Sequence, residues 1–458
     1  MAIADVERAD AILLVGCDLT EEYPIIWLRV KKAIDRGARL IIMSPWDLEI
    51  ARWGSHTFVH RAGTEASLLD ALSGGLPPAA AAQGAGVAAE AVEAASAALR
   101  GAARALVLVG QAALERPDGE AVLDAVDRLR GVLGGADLGV LRGRGNSGGA
   151  QLLGLLPDML PGYRPLADPG ARAALEAAWD RPVPAAPGRP VRGMLDAART
   201  GALQVLYVVG ADPATEYPDA GAWAEARRRL GVLVVHELFM TRTAAAADVV
   251  LPALSFAEKA GTVCNIEGRV QRQDQAVLGP GTARADGQIF SQIAARVGAV
   301  LGFSSWQDVF AGIGRIIPGW QEGARLPPPR PRRAPGSGAS APSAAVPEGA
   351  VILLTGSRLF DRGTMAVRCP GIRNQAGEPF VALHPDDAGR FGLADGAPCE
   401  VRSPRGALRL AVRIWAGLPR GQVYIPRGYE AAPVNALLDD RGPVAVTVRA
   451  LAAAEAAG

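Results

Sequence analysis

Two periodicities divide the chain. Before residue 326, short continuous apolar runs alternate with segments of helical period. Ala11-Ile-Leu-Leu-Val-Gly16, Arg39-Leu-Ile-Ile-Met43, Ala105-Leu-Val-Leu-Val-Gly110 and Val205-Leu-Tyr-Val-Val-Gly210 read as strands, three of them running into a glycine turn. Between the first two, Pro24 opens a helix whose Ile26, Val30, Ala33 and Ile34 share one face, and Gly37 stops it. Continuous apolar strands separated by helices predict a parallel sheet covered on both faces. After residue 347 the period becomes two. Leu408, Leu410, Val412 and Ile414 alternate with Arg409, Ala411 and Arg413, a Pro404-Arg405-Gly406 turn precedes them, and Gln422-Val-Tyr-Ile-Pro426 follows. Short strands between Gly/Pro turns predict a compact β-barrel.

Within the α/β region one segment recurs. Val15-Gly-Cys-Asp-Leu-Thr-Glu-Glu-Tyr-Pro24 aligns without gaps on Val209-Gly-Ala-Asp-Pro-Ala-Thr-Glu-Tyr-Pro218, with Val, Gly, Asp, Glu, Tyr and Pro at the same offsets. Each copy follows an apolar strand and precedes a helix and another strand. This duplication predicts two pseudo-twofold-related, Rossmann-like parallel-sheet domains. Ligands of such sheets sit at the carboxyl ends of the strands, where these loops lie. One reading makes them a paired nucleotide-type site. The other makes Gly16 and Gly210 tight-turn residues, with Asp18 and Asp212 capping the helices that follow.

The expected divisions are an α/β domain over 1–160, a second over 161–325, a linker over 326–347 and a β-barrel over 348–458. The linker, beginning Leu326-Pro-Pro-Pro-Arg-Pro-Arg-Arg, is rich in proline, glycine, serine and arginine and has no apolar period. Charge changes little in this picture. With 48 basic and 47 acidic residues the chain lacks the basic excess of a nucleic-acid binder. No apolar run approaches the roughly 20 residues that span a bilayer, and the acidic start (Asp5, Glu7) does not resemble a secretion signal. A cytoplasmic location is expected, with membrane contact only through a partner. The four cysteines, Cys17, Cys264, Cys369 and Cys399, form no C-x-x-C pair, and the four histidines are dispersed. Iron–sulfur clusters and structural zinc usually take grouped ligands, so no metal is expected on this chain.

The stretch Thr241-Arg-Thr-Ala-Ala-Ala-Ala-Asp248-Val-Val-Leu-Pro252, continuing through Glu258, Gly261, Asn265-Ile-Glu-Gly-Arg269 and Gln271, resembles the "T-A-x-x-A-D-V-V-L-P … E-x-x-G-T-x-x-N-x-E-G-R-x-Q" signature of the molybdopterin oxidoreductases. The repeated loops are similar to that family's "G-x-N-P" turns. Arg144-Gly-Asn-Ser-Gly-Gly149, Gly356-Ser-Arg-Leu-Phe360, His384 to Gly396, and Asn435 resemble further family stretches. The resemblance implies a double-psi type for the β-barrel. It also implies cofactor-binding positions at Gly16, Asp18, Gly210, Asp212, Pro213, Asn265, Arg269 and Asn435, for a bis-molybdopterin guanine dinucleotide.

Departures from the pattern change the expected function. The family's guanine-binding acid after the second strand is replaced by Met43-Ser44-Pro45-Trp46, the loop asparagines are Asp18 and Asp212, and Arg242 stands for a usual Glu. A carboxylate offers acceptors only, where Asn also donates, so two carboxylates facing pyrophosphates repel them. The catalytic branch's metal-ligating Cys, selenocysteine or Ser, and its iron–sulfur domain, lie upstream of the strand that begins here at Ala11. Together these features resemble the respiratory branch, the large subunit of NADH–quinone oxidoreductase. They imply a non-catalytic scaffold on the peripheral arm, supporting electron transfer from NADH to quinone at the inner face of the cell membrane. No cofactor is expected on the chain and its dinucleotide site is expected to be degenerate. Iron–sulfur clusters are expected upstream or on a partner chain, and the other complex subunits are the expected partners. The alternative is a fragment of an active molybdenum or tungsten enzyme such as a formate dehydrogenase. An NAD-dependent Rossmann enzyme fits poorly, because no G-x-G-x-x-G with a ribose-binding acid follows a predicted strand. His236-Glu237 is read as structural rather than as an acid–base pair. A sheet lacking strands would expose apolar edges, so the isolated chain is expected to associate or dissolve poorly.

Overall fold

The computed structural model describes residues 1–116, 118–327, 329, 346–360, 363–440 and 442–451. The first region alternates β1 (Ala11–Val15), α1 (Pro24–Asp35), β2 (Arg39–Ser44), β3 (His56–Val59), α2 (Glu65–Ser73), α3 (Pro78–Ala85), α4 (Ala89–Arg100), β4 (Ala105–Gly110), α5 (Gln111–Leu114), α6 (Gly119–Val132) and β5 (Asp137–Leu141). Local chemistry sets the ends. Pro24 supplies a preset φ at the start of α1, and Gly74 closes α2 in the left-handed conformation. The five strands are parallel in the order β3-β2-β1-β4-β5. Every residue of β1 is fully buried. Leu13, Val15, Ile41, Met43, Val107 and Val109 pack on one face against Leu68 and Leu72 of α2, Leu99 of α4, and Val122, Val126 and Leu129 of α6. On the opposite face Ile12, Leu14, Leu40 and Ile42 are equally buried, as are Ile26, Val30 and Ala33 of α1. Each buried Leu, Ile, Val or Met side chain contributes about 1.5–3 kcal/mol relative to exposure. The alanine-rich stretch after residue 77 forms α3 and α4, which add Ala82, Ala85, Ala95 and Ala98 to this core.

Strand order reverses between β1 and β4, so the carboxyl ends of these two strands define a topological switch point. The crevice begins at Gly16 and Gly110.

Residues 142–327 begin with α7 (Ser147–Leu152), the short pair β6 (Met159–Leu160) and β7 (Arg164–Pro165), α8 (Pro169–Trp179) and α9 (Val191–Arg199). The second copy of the repeat follows as β8 (Val205–Val209), α10 (Pro213–Glu216), α11 (Ala220–Arg229) and β9 (Val232–Glu237), continued by α12 (Arg242–Ala245) and β10 (Val249–Pro252). These strands are parallel in the order β10-β9-β8. Leu195 and Ala198 of α9 and Trp223 and Ala226 of α11 cover one face, packing on Val208, Leu233 and Val235. The antiparallel pair β11 (Gly261–Cys264) and β12 (Val270–Gln273), then α13 (Asp286–Arg296) and α14 (Trp306–Ile316), complete the region.

The C-terminal region contains β13 (Val351–Gly356), α15 (Pro370–Arg373), β14 (Phe380–Leu383), α16 (Pro385–Arg390), β15 (Pro398–Arg402), β16 (Ala407–Ile414), β17 (Gln422–Pro426) and β18 (Val444–Ala450). Its strands close into a barrel, β13-β17-β14-β16-β15-β18. The expected two-residue alternation is met: Leu410 and Val412 point into a core with Val381, Val401, Val423, Ile425, Val446 and Val448. Cys399 lies in that core, and burial pushes its thiol up to about 12.

Met1–Leu141 and Ala339–Gly458 form one compact unit, and Arg142–Gly338 forms another. Most of the proline-rich linker, residue 328 and residues 330–345, lies outside the described residues. No helix among the described residues is long and apolar enough to cross a membrane.

Candidate functional site

At the switch point the backbone is tightly packed. Gly16 adopts φ +58°, and a Cβ built on it would sit 2.6 Å from Cβ of Ala113. A Cβ on Gly110 would sit 2.2 Å from Cβ of Cys17, so both positions exclude any larger residue. Asp18 turns its carboxylate onto its own loop. Oδ1 accepts from the Thr20 amide at 3.0 Å, the Thr20 hydroxyl at 2.6 Å and the Glu21 amide at 3.3 Å. Glu22 accepts from the Asp18 amide at 3.1 Å. The barrel braces this loop: the Leu359 amide donates to Glu21 at 2.6 Å, Arg358 lies 3.5 Å from Glu21, and Arg427 pairs with Glu115 at 3.1 Å. The result is an acid-rich cleft wall with Asp18, Glu21, Glu22 and Glu115 against Arg358 and Arg427. Burial pushes the Glu22 carboxyl up to about 7, with Asp18 and Glu115 adding to the rise while the Asp18 amide and Arg427 oppose it.

The segment after β2 carries the largest local departure. Ser44 is buried and its hydroxyl accepts from the Trp46 amide at 3.3 Å. Trp46 stacks obliquely on Tyr424 of the barrel, with centroids 5.1 Å apart, in an aromatic cluster with Phe380 and Trp415. The Asp47 amide donates to the Gly417 carbonyl at 2.7 Å. Ser44 stands where the family's acid is expected, and two residues on an indole docks the barrel onto the sheet.

A third wall, which sequence reasoning missed, follows β3. His60, Glu65 and Gln422 are all buried. Nδ1 of His60 donates to the Arg61 carbonyl at 2.9 Å, leaving Nε2 as an acceptor without a hydrogen-bond partner among the described residues, 4.0 Å from Glu65. Burial holds this imidazole below its usual pKa, with Glu65 opposing. Glu65 accepts from Arg116 at 2.8 Å and from the Gly63 amide at 2.9 Å, and Gln422 accepts from the Ala62 amide at 3.0 Å. A histidine at the end of a short strand, five residues before a glutamate, was the available signal. The i,i+4 spacing of His56 and His60 falls on a strand and its end, not on a helix face.

In the second unit the same loop motif is used differently. Gly210 has φ +59°, but nothing lies within 4 Å of a Cβ built there. Asp212 is buried and reaches across to the family signature: Oδ1 accepts from the Thr243 amide at 2.9 Å and from its hydroxyl at 2.5 Å. The Thr243 hydroxyl in turn accepts from the Ala214 amide at 3.0 Å, beside Pro213 at the start of α10. Asp248 clamps the other end of the signature, accepting from the Leu233 amide at 2.7 Å and from Arg227 at 3.1 and 3.2 Å. Asn265 and Arg269 shape a turn: Asn265 Oδ1 accepts from the amides of Glu267 and Arg269 at 3.0 and 2.9 Å, and the Arg269 side chain meets Glu267 at 3.3 Å. Asn146 accepts from the Cys264 amide at 2.8 Å, tying the glycine-rich segment to the same hairpin. Buried His236 lies between the Tyr207 hydroxyl, 3.4 Å from Nδ1, and Asp286, 3.2 Å from Nε2. Burial pushes the neighbouring Glu237 carboxyl upward, and Asp212, Glu216 and Asp286 add to the rise. In the barrel, Asn435 is buried in a single turn of 3-10 helix.

Two parallel-sheet regions with glycine turns at their strand ends, and a closed six-stranded barrel, form the setting for these residues. The molybdopterin oxidoreductase family model matches residues 1–296, and that of the molybdopterin dinucleotide binding domain matches residues 351–451. The chain belongs to the molybdopterin oxidoreductase family. Among relatives, it is 35% identical over 306 residues to an NADH-quinone oxidoreductase subunit of Rhizobium meliloti, covering 64% of this chain and 36% of that one. It is 31% identical over 440 residues to an NADH-quinone oxidoreductase subunit of Mycobacterium bovis, covering 95% and 50%. A formate dehydrogenase alpha subunit of Methanocaldococcus jannaschii is 27% identical, with 95% of this chain and 74% of that protein aligned. The chain therefore spans between about a third and three quarters of these relatives. The fold resembles that of acetylene hydratase from Pelobacter acetylenicus, with a TM-score of 0.73 at 16% identity over 98% of this chain and 81% of the other.

Proposed function

We propose that the chain is a scaffold of an NADH–quinone oxidoreductase-type assembly and holds no molybdopterin dinucleotide of its own. The observation that carries this reading is the charge and commitment of the two repeated loops. A pyrophosphate needs donors and positive charge at a strand-end turn. Here the first loop presents three carboxylates with Glu115 of a neighbouring segment beside them, Glu22 is already driven toward protonation, and Asp18 is spent on the Thr20 and Glu21 amides. In the second, Asp212 is spent on Thr243, with Glu216 and Glu237 close by. A dianion would raise the electrostatic cost at each loop, so these residues do not fit the group. Trp46 supports the same reading, because the position after β2 serves barrel packing.

The relatives add the respiratory context: two are named as subunits of NADH-quinone oxidoreductase. Under this reading the electron carriers belong to another polypeptide or segment, since the four cysteines are dispersed: Cys17 in the loop after β1, Cys264 in β11, Cys369 just before α15 and Cys399 in β15. Partner subunits would hold the chain at the inner face of the cell membrane. The formate dehydrogenase likeness favours the second reading, a piece of an active molybdenum or tungsten enzyme. Elemental analysis and pterin fluorescence of the full chain, purified from its own cells, separate the two. The scaffold reading expects molybdenum and tungsten well below one atom per chain and no pterin emission, and a stoichiometric metal with bound pterin overturns it.

A further inference from the structure

Three tyrosines spend their hydroxyls on backbone carbonyls. Tyr23 donates to Leu141 at 2.9 Å, Tyr424 to Gly356 at 3.3 Å and Tyr429 to Ala376 at 2.6 Å. A carbonyl oxygen accepts a hydrogen bond but does not take the proton away at neutral pH. Tyr207 of β8 meets a base instead: its hydroxyl lies 3.4 Å from Nδ1 of His236, near the end of β9. Nε2 of that imidazole faces Asp286 Oδ1 at 3.2 Å, off the line of a full hydrogen bond, and Asp286 also pairs with Lys259. His236 is fully buried, its ring lies within 19° of parallel to that of Tyr207, and Phe290 of α13 meets both rings edge-on. All these residues belong to one compact unit. Burial and Asp286 raise the Tyr207 phenol above its ordinary range, so it keeps its proton at rest. Burial holds His236 below its usual pKa, Asp286 opposing and Lys259 adding to the fall, which favours the uncharged form able to accept a proton.

We propose that Tyr207 is a redox-active tyrosine, oxidised by one electron to a neutral radical while its phenolic proton passes to Nδ1 of His236. The oxidant is a strong one-electron acceptor, of which peroxyl radicals are the biological class. The peroxyl radical takes the electron and leaves as a hydroperoxide anion. The Tyr207 O–H bond breaks, an Nδ1–H bond forms, and the new imidazolium turns its Nε2–H toward the Asp286 carboxylate. The positive charge thus appears 3.2 Å from a negative one, within a buried cluster where that attraction is strong. A phenol beside such a base gives up electron and proton together, which avoids the strongly acidic phenol radical cation that a carbonyl-bonded tyrosine must pass through. His236 holds the proton and positions the hydroxyl; the electron leaves Tyr207. The assignment stands apart from the scaffold reading, because it requires no partner chain.

The test oxidises the full chain with photogenerated ruthenium(III) tris-bipyridine, with persulfate as the electron sink. Freeze-quenched electron paramagnetic resonance should show a tyrosyl signal, and isotope-labelled histidine should give that signal a nitrogen hyperfine coupling. Tyr207→Phe should remove the coupled signal. His236→Gln should slow radical formation about tenfold or more, the least that proton transfer to a positioned base contributes. Heavy water should slow it in the native chain and not in that variant, and Asp286→Asn should slow it less than His236→Gln does. With a thermal azo initiator as the source of peroxyl radicals, peptide mass spectrometry should find oxidation at Tyr207 ahead of Tyr23, Tyr424 and Tyr429. A tyrosyl radical without histidine coupling overturns the proposal, as does an unchanged rate in a normally melting His236→Gln chain, or oxidation spread evenly over the four tyrosines. Should His236→Gln melt early, the hyperfine coupling and the heavy-water effect in the native chain decide the matter.

Discussion

The two copies of the repeat share six residues at identical offsets, and their glycines share a backbone conformation, yet they hold their surroundings by different means. In the first, Gly16 is pressed against Ala113, Asp18 satisfies its own turn, and every residue of β1 is buried. In the second, Gly210 faces open space, Asp212 is tied to a threonine 31 residues away, and β8 alternates between core and exposed positions. The lesson is that a shared turn motif dictates a dihedral angle and little more. What the side chains do is set by which strands and helices arrive next to them.

The widest gap between the copies should come from the glycines. Gly16→Ala should cost about 3 kcal/mol, combining the left-handed backbone penalty with overpacking onto Ala113, whereas Gly210→Ala should cost about 1 kcal/mol from the backbone alone. Denaturant titration followed separately for each unit measures both, and equal losses would break the comparison. Next, Asp212→Ala strands the Thr243 amide and hydroxyl in a buried site and should cost about 2–3 kcal/mol, with Asp212→Asn recovering most of it through the retained Oδ1. Asp18→Ala should cost about 1 kcal/mol, as loss of a cap does.

A pH experiment sharpens the contrast further. Glu22 has its carboxyl raised in the folded state from 4.5 to about 7, so the folded protein holds the proton more tightly than the unfolded chain. Stability from this group is fully present below pH 4.5 and is lost as pH rises through about 7. The loss should be about 2 kcal/mol after allowance for partial exposure. Glu22→Gln should flatten that slope in thermal melts across the window. The smallest expected difference lies in the strands: Val15→Ala should cost about 2 kcal/mol and Val209→Ala within about 0.5 kcal/mol when the chain is isolated. A large loss at Val209 in the isolated chain would mean that this face is already covered.

Much of the architecture was legible because it follows from periodicity. Ile26, Val30 and Ala33 repeat at helical spacing and are buried, with Ile34 at the rim of the same face. The even spacing of Leu410 and Val412 placed both inside the barrel. The site was less legible. Asp18 and Asp212 read alike in sequence as capping residues or ligand neighbours, but only Asp18 serves its own turn, because Thr243 comes to Asp212 from a distant segment. The repeat marked Glu22 as a shared position but not its chemistry: its raised carboxyl depends on burial and on Asp18 and Glu115, with Arg427 opposing, and Glu115 and Arg427 are brought there by the ends of other strands. The wall of His60, Glu65 and Gln422 was equally hidden, since 357 residues separate the last two.

By itself the amino-acid order determined where strands, helices and turns form, that the two loops share a glycine conformation, and that the C-terminal region closes as β structure. These are local properties, settled by side-chain period and by which residues tolerate a positive φ. Only the tertiary structure decided that Trp46 anchors the barrel to the first sheet, that the carboxylates gather at the switch point, and that one copy is buried on both faces while the other presents an open edge. Those outcomes depend on distant segments meeting, and neither burial nor charge coupling has a value until they do.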